Sequence, residues 1–219
     1  MTDNNNVKYS VLNLVPKFQN DTDIDAINRA TELIKIVEKL GYHRYWVAEH
    51  HNFRGVLSSA TALIIQHLLA NSEKIRVGAG GVMLPNHTAL QVSETYGTLE
   101  TLYPGRVDLG IGRAPGTDSD TAALIYRTQY VRTSKFVEAI KDIQRFMGSE
   151  EEQGIVSAYP GINTNVPIFM LGSSIHSASV SGELGLPYSF AGHFSPDAAE
   201  EAIKIYRESF IPSKYLEKP

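Results

Sequence analysis

The chain has 219 residues, 42% hydrophobic and 20% charged, with a formal net charge of −4. It is long enough to bury one sizeable core, and it lacks the charge runs of a nucleic-acid or membrane-surface binder. No cysteine is present, which excludes disulfides, thiolate chemistry and zinc–sulfur sites. The polar start MTDNNNVKYS has no apolar signal core, and no stretch is apolar enough to span a bilayer. A cytoplasmic, soluble protein forming one domain over residues 1–219 is expected.

The elements alternate along the chain. Val7–Val15 reads as a strand closed by Pro16, and Asp21 or Thr22 caps a helix that Gly41 stops. That helix carries Ile24, Ile27, Leu33, Ile34, Val37 and Leu40 at helical spacing. Tyr45–Ala48 is a second strand, and Ser58 or Ser59 begins a helix reaching Ala70. Ile75–Leu84 and Val107–Ile111 are strands three and four, with a helix over Thr88–Leu102 between them. Residues 113–165 read as a long loop holding one helix, Ser134–Phe146. Pro167–Leu171 and Tyr188–Ala191 are strands five and six, followed respectively by a helix over Ser177–Leu184 and one capped by Asp197.

Strand and helix in strict alternation predict a parallel sheet. Three strands run into polar or glycine-rich ends: RYWVAEHHNFR (Arg44–Arg54), IRVGAGGVMLPNH (Ile75–His87) and RVDLGIGRAPGTD (Arg106–Asp118). Polar residues gathered after consecutive strands are how a TIM (β/α)8-type barrel builds its active site. Six strand–helix units are legible, whereas the closed barrel takes eight, so an incomplete barrel is expected, lacking its last two units.

The strand ends supply the chemistry. His50 can trade protons near neutral pH, although a His-His pair is also consistent with local hydrogen bonding, with His51 shaping the pocket. Adjacent histidines without HxH or HExxH spacing do not suggest a metal. Gly78, Gly80 and Gly81 weaken a buried strand, which points to an approaching ligand, unusual backbone or contact with a neighbouring helix. Arg113 has the planar donors to bind phosphate, or to form a structural ion pair. Ser173 and Ser174, with His176 and Ser177 beyond, open a helix as either an anion site or a plain N-cap.

The motifs YWVAEHH, VGAGGVMLPNH, RVDLGIGRAPGTD, PIFMLGSS and GLPYSFAGHFSPD occur in the order and spacing of the bacterial luciferase-like flavin monooxygenases. The chain resembles that family from about Val7 to Tyr215. The resemblance implies that His50 is the active-site histidine assisting oxygen insertion. It implies a non-proline cis peptide at Gly80–Gly81 beneath the flavin ring. It also implies an FMN-phosphate site built from Arg113, Ser173 and Ser174, with His176 nearby. Ile175 and Gly192 depart from the family, which carries a smaller residue at the first position and a larger polar one at the second. Gly112 stands where some luciferases have a reactive cysteine.

The implied enzyme takes reduced FMN from a separate flavin reductase and uses O2 to oxidise a small, aldehyde-like substrate. The alternative is a non-catalytic flavin-binding protein or inactive relative. An unrelated barrel acting on phosphorylated sugars would explain the glycines and Arg113, but not the ordered motifs. A deazaflavin in place of FMN remains open, although the serines and arginine favour FMN. The resemblance further implies a homodimer through the second and third helices, where Leu63, Leu68, Leu90 and Leu99 lie.

Overall fold

A computed structural model describes residues 7–125 and 135–219. Six parallel strands follow one another in space as in sequence: β1 (Ser10–Asn13), β2 (Arg44–Val47), β3 (Arg76–Met83), β4 (Val107–Gly112), β5 (Ile168–Gly172) and β6 (Tyr188–Phe190). Seven helices are described: α1 (Asp23–Lys39), α2 (Thr61–Ala70), α3 (Ala89–Leu102), α4 (Ser119–Ile125), α5 (Phe136–Met147), α6 (Ile175–Glu183) and α7 (Ala199–Glu208).

Alternation along each strand sorts the side chains into two layers. Tyr45, Val47, Val77, Leu109, Ile168 and Met170 are buried in the core that also takes Ile34, Leu68, Leu99 and Ile140 from the helices. Each fully buried aliphatic side chain contributes about 1.5–3 kcal/mol. The opposite face carries Leu12, Arg44, Trp46, Gly80, Gly110 and Phe169. Trp46 of β2 and Phe169 of β5 meet at 5.1 Å between ring centroids. Strands three places apart in a flat sheet are separated by about 14 Å, so this contact requires the sheet to curl. Glycine makes room for it: a Cβ at Gly80 would strike Leu12 and Trp46, and one at Gly110 would strike Leu171. The result is a curled half-barrel in which β1 and β6 each have a single strand neighbour.

The third strand contains the irregularity anticipated for it. Ala79 pairs with Leu109 but Val82 with Ile111, so Gly80 and Gly81 form a bulge, and their peptide bond is cis. Gly81 lies against the backbone of Gly110 on β4, so its close neighbour is a strand and not a helix.

Several boundaries differ from expectation. The first strand is confined to Ser10–Asn13, because Val15 has positive φ and leaves the ladder. Thr22, not Asp21, caps α1 in a box with Asp25. α2 begins at Thr61 behind Ala60, with no side-chain cap from Ser58 or Ser59. The stretch 113–165 holds a second helix, α4, whose first turn is capped by Asp118 accepting from the amides of Asp120 and Thr121. The start expected at Ser134 lies outside the described residues. α6 begins at Ile175, because Ser174 is the cap. Asp197 sits within a 3-10 turn, Pro196–Ala198, and α7 starts after it without a side-chain cap. Among the described residues no helix is long and apolar enough to cross a membrane.

Candidate active site

The loops leaving the C-terminal ends of β2, β3 and β4 meet around one buried carboxylate. Glu49, two residues beyond β2, is 2% exposed. It accepts from His51 Nε2 at 2.9 Å, His87 Nε2 at 2.9 and 3.0 Å, the Asn86 amide at 3.0 Å and the Met83 backbone N–H at 3.0 Å. Burial alone would raise its pKa, but hydrogen bonds from His87, His51 and Asn86, with the charge of His87, hold it below the ordinary value. The third loop joins through Asn86, which donates to the Pro115 carbonyl at 3.0 Å, and through the His51 N–H, which donates to the Gly116 carbonyl at 3.1 Å.

His50 lies between Glu49 and His51. Its ring stands edge-on to Phe53 at 5.7 Å. Its Nδ1 is buried and has no partner among the described residues. Burial lowers its pKa, the Glu49 charge opposes that, and the net direction is down, which favours a neutral imidazole. His51 is tied to Glu49 through its ring and to the loop at Gly116 through its backbone N–H.

The ends of β4 and β5 are adjacent, with Ile111 paired to Met170. Gly112 ends β4, and Arg113 follows it exposed, with no ion-pair or hydrogen-bond partner among the described residues. Past β5, Ser173 is half-buried. Ser174 accepts from the Ser177 amide at 3.2 Å and so acts as the N-cap of α6. Its hydroxyl is thereby partly committed to its own helix. Ile175 and His176 occupy the exposed first turn, their side chains at the surface. Gly192 stands in open space, where an added Cβ would meet only Phe190, at 4.0 Å.

A cavity of about 270 Å³ lies behind the Glu49–His87 pair, between α2 and α3, with Thr61, Val92 and Tyr96 in its wall. Beside it Leu63 is 71% exposed. Of the other leucines expected on a dimer face, Leu68 and Leu99 are in the core and Leu90 is half-buried, because helical spacing turns them toward the sheet. Among the described residues no group of three or more His, Asp or Glu side chains is arranged to hold a metal ion.

Sequence reading missed Glu49, Asn86 and His87. The available signal was the lone acid in WVAEHH: a carboxylate ending an apolar strand must find donors, and PNH closes the next strand. The partners lie 37 and 38 residues away, so only the fold reveals the pairing.

The profile of the family described as "Luciferase-like monooxygenase" matches residues 9–211. The chain is 53% identical to YddN of Bacillus subtilis, over 96% of this chain and 62% of that protein. It is 42% identical to a luciferase-like monooxygenase of Escherichia coli K12, over 100% of this chain and 65% of that one. It therefore spans less than two thirds of the length of these relatives. The solved structure of apo-MsnO8 superimposes with a TM-score of 0.91 at 31% identity, covering 97% of this chain and 64% of that one. The fold is also shared with the oxygenating constituent of 3,6-diketocamphane monooxygenase in complex with FMN, at TM-score 0.73 and 14% identity over 94% of this chain and 64% of that one. An F420-dependent secondary alcohol dehydrogenase shares it at TM-score 0.70 and 19% identity, over 92% and 63%.

Proposed function

Because this chain belongs to the luciferase-like monooxygenase family, we propose that it binds reduced FMN and uses O2 to oxidise a small organic, aldehyde-like substrate. The observation that carries this reading is the buried Nδ1 of His50 at the end of β2, which has no partner among the described residues. An orphaned polar atom is costly unless a ligand completes it. Bound flavin supplies the redox chemistry and the oxygen activation, and the protein supplies placement.

The residues fit such a group. Arg113, without a partner among the described residues, offers a guanidinium suited to phosphate, beside the Ser173 hydroxyl and the first-turn amides of α6 at Ile175 and His176. Ser174 serves there chiefly by fixing that helix start. Gly80 and Gly81 let Leu12, Trp46 and the Gly110 backbone close in on β3, forming a bulge against which a ring would lie. His50, neutral at the operating pH, accepts or returns a proton at Nδ1. A separate flavin reductase supplies the reduced cofactor, and two copies pair through α2 and α3.

A second reading is flavin binding without catalysis, which the same phosphate-binding groups would serve. Titration with FMN, oxidised and then reduced under argon, separates the readings. Saturable binding on the order of micromolar is expected, weakened at least about tenfold in Arg113→Ala, which loses charge-assisted hydrogen bonds. Oxygen uptake with an aldehyde then supports the monooxygenase, and binding without uptake supports the second reading. No binding in either redox state overturns both, and preference for a deazaflavin overturns the choice of FMN.

A further inference from the structure

We propose that Glu49 is the positioning residue of this site, a buried carboxylate that locks three strand-end loops together and thereby sets the place of His50. The consequence for turnover rests on the reading of His50 given above, whereas the lock itself does not.

The argument begins with what His50 lacks. Its side chain forms no hydrogen bond among the described residues, so nothing polar on the ring holds it in place. Its position is inherited from the backbone on either side. On one side the Glu49 side chain is held by donors from two loops, including the Met83 amide at 3.0 Å, the Asn86 amide group at 3.0 Å and His87 at 2.9 Å. On the other side His51 is held three ways. Its ring donates to Glu49 at 2.9 Å, its N–H donates to Gly116 at 3.1 Å, and its carbonyl accepts from the Thr117 hydroxyl at 2.9 Å. The loops after β2 and β3 are therefore cross-linked by Glu49 as their common acceptor, and the loop after β4 is joined to them through the Glu49 partners Asn86 and His51.

The protonation states follow. An ionised carboxylate only accepts, so Nε2 of both His51 and His87 must carry a proton. The Met83 N–H and the Asn86 NH2 are donors as well. Every group around Glu49 thus points a hydrogen at it, and a neutral amide of the same shape cannot satisfy them all. Removing a buried acceptor from such a set leaves several donors unpaired. A carboxylate is also expensive to bury, and packing alone would be served as well by an apolar side chain. Its placement beside His50, at the end of the sheet where barrel chemistry sits, distinguishes it from a scaffold ion pair.

The test is Glu49→Gln in the full chain, read by amide hydrogen exchange and by long-range ¹H–¹⁵N spectra of the imidazoles. The wild type is expected to show His51 and His87 as Nε2–H forms. In the variant, exchange at Met83 and His51 should rise at least about tenfold, as local opening loses its cost. The His50 signals should also shift, while amides in β5 and β6 stay as they were. The affinity for FMN, used as the probe, should hold within about threefold, because the anion-binding groups belong to other loops. Turnover should fall about 100-fold, the scale of a misplaced reacting group. Unchanged exchange and imidazole spectra would overturn the proposal, as would unchanged turnover. If the wild type itself neither binds FMN nor turns over, the functional reading fails and the exchange and imidazole measurements still decide the role of Glu49. Should Glu49→Gln not fold, Glu49→Asp keeps the charge, withdraws the carboxylate by one methylene, and is judged by the same spectra.

Discussion

Among the described residues two carboxylates are buried, Glu49 just beyond β2 and Asp108 on β4, and their partners divide their labour. Asp108 is fully buried near the start of β4, bonded to Arg44 Nε at 2.9 Å, Arg76 Nε at 2.8 Å and Trp46 Nε1 at 3.1 Å. It knits β2, β3 and β4 far from the loops. Glu49 has histidines and amides instead of arginines, so its charge is balanced less permanently. Burial pushes its pKa up, hydrogen bonds from His87, His51 and Asn86 push it down further, and the net value lies below 4.5. A group whose folded pKa is depressed adds stability that is complete above its unfolded pKa and is lost as pH falls through the folded value. The stability gap between wild type and Glu49→Gln should therefore be complete above about pH 5 and should shrink as pH falls through the lowered folded value. Urea unfolding over a series of acid pH values measures it, and a gap that widens in acid would contradict the assignment.

At the scale of the element, β3 and β4 show how glycine creates space. A Cβ at Gly110 would collide with the Ala79 carbonyl of the neighbouring strand, which cannot yield without breaking the ladder. Gly110→Ala is expected to cost about 1–3 kcal/mol through overpacking. Gly192→Ala, with nothing nearer than Phe190 at 4.0 Å, should stay within about 0.5 kcal/mol. Denaturant midpoints compare the two directly. This contrast also marks what was legible in the sequence. The strands, their order and the Gly80–Gly81 irregularity could be read from apolar runs and their glycine breaks, and His50 from its place after β2. α4 was hidden because its cap, Asp118, lies in a polar stretch that looks like loop. Ser174 supported two meanings, and its bond to Ser177 shows that at least the capping one is used. Glu49 was out of reach because its meaning depends on partners supplied by another strand.

For the whole molecule, the question is which surface meets a second copy. α2 turns Leu68 inward and Leu63 outward, beside the cavity it shares with α3. A leucine 71% exposed next to an apolar recess is a natural anchor for pairing. If the chain dimerises through α2 and α3, Leu63→Glu should give monomer in gel filtration at concentrations where wild type elutes as a dimer. A dimer that survives the substitution would place the contact elsewhere.

The curl of the sheet has one more consequence. Trp46 is the chain's only tryptophan, and it stands on the inner face with its indole nitrogen on Asp108 and its ring against Phe169. Excited on the red edge, where indole absorbs and the 11 tyrosines do not, the emission of this protein therefore originates at a single point inside the half-barrel. Flavins absorb where indole emits, so if the proposed flavin binds inside the half-barrel, dimming of this emission would report its arrival, without a label and without turnover.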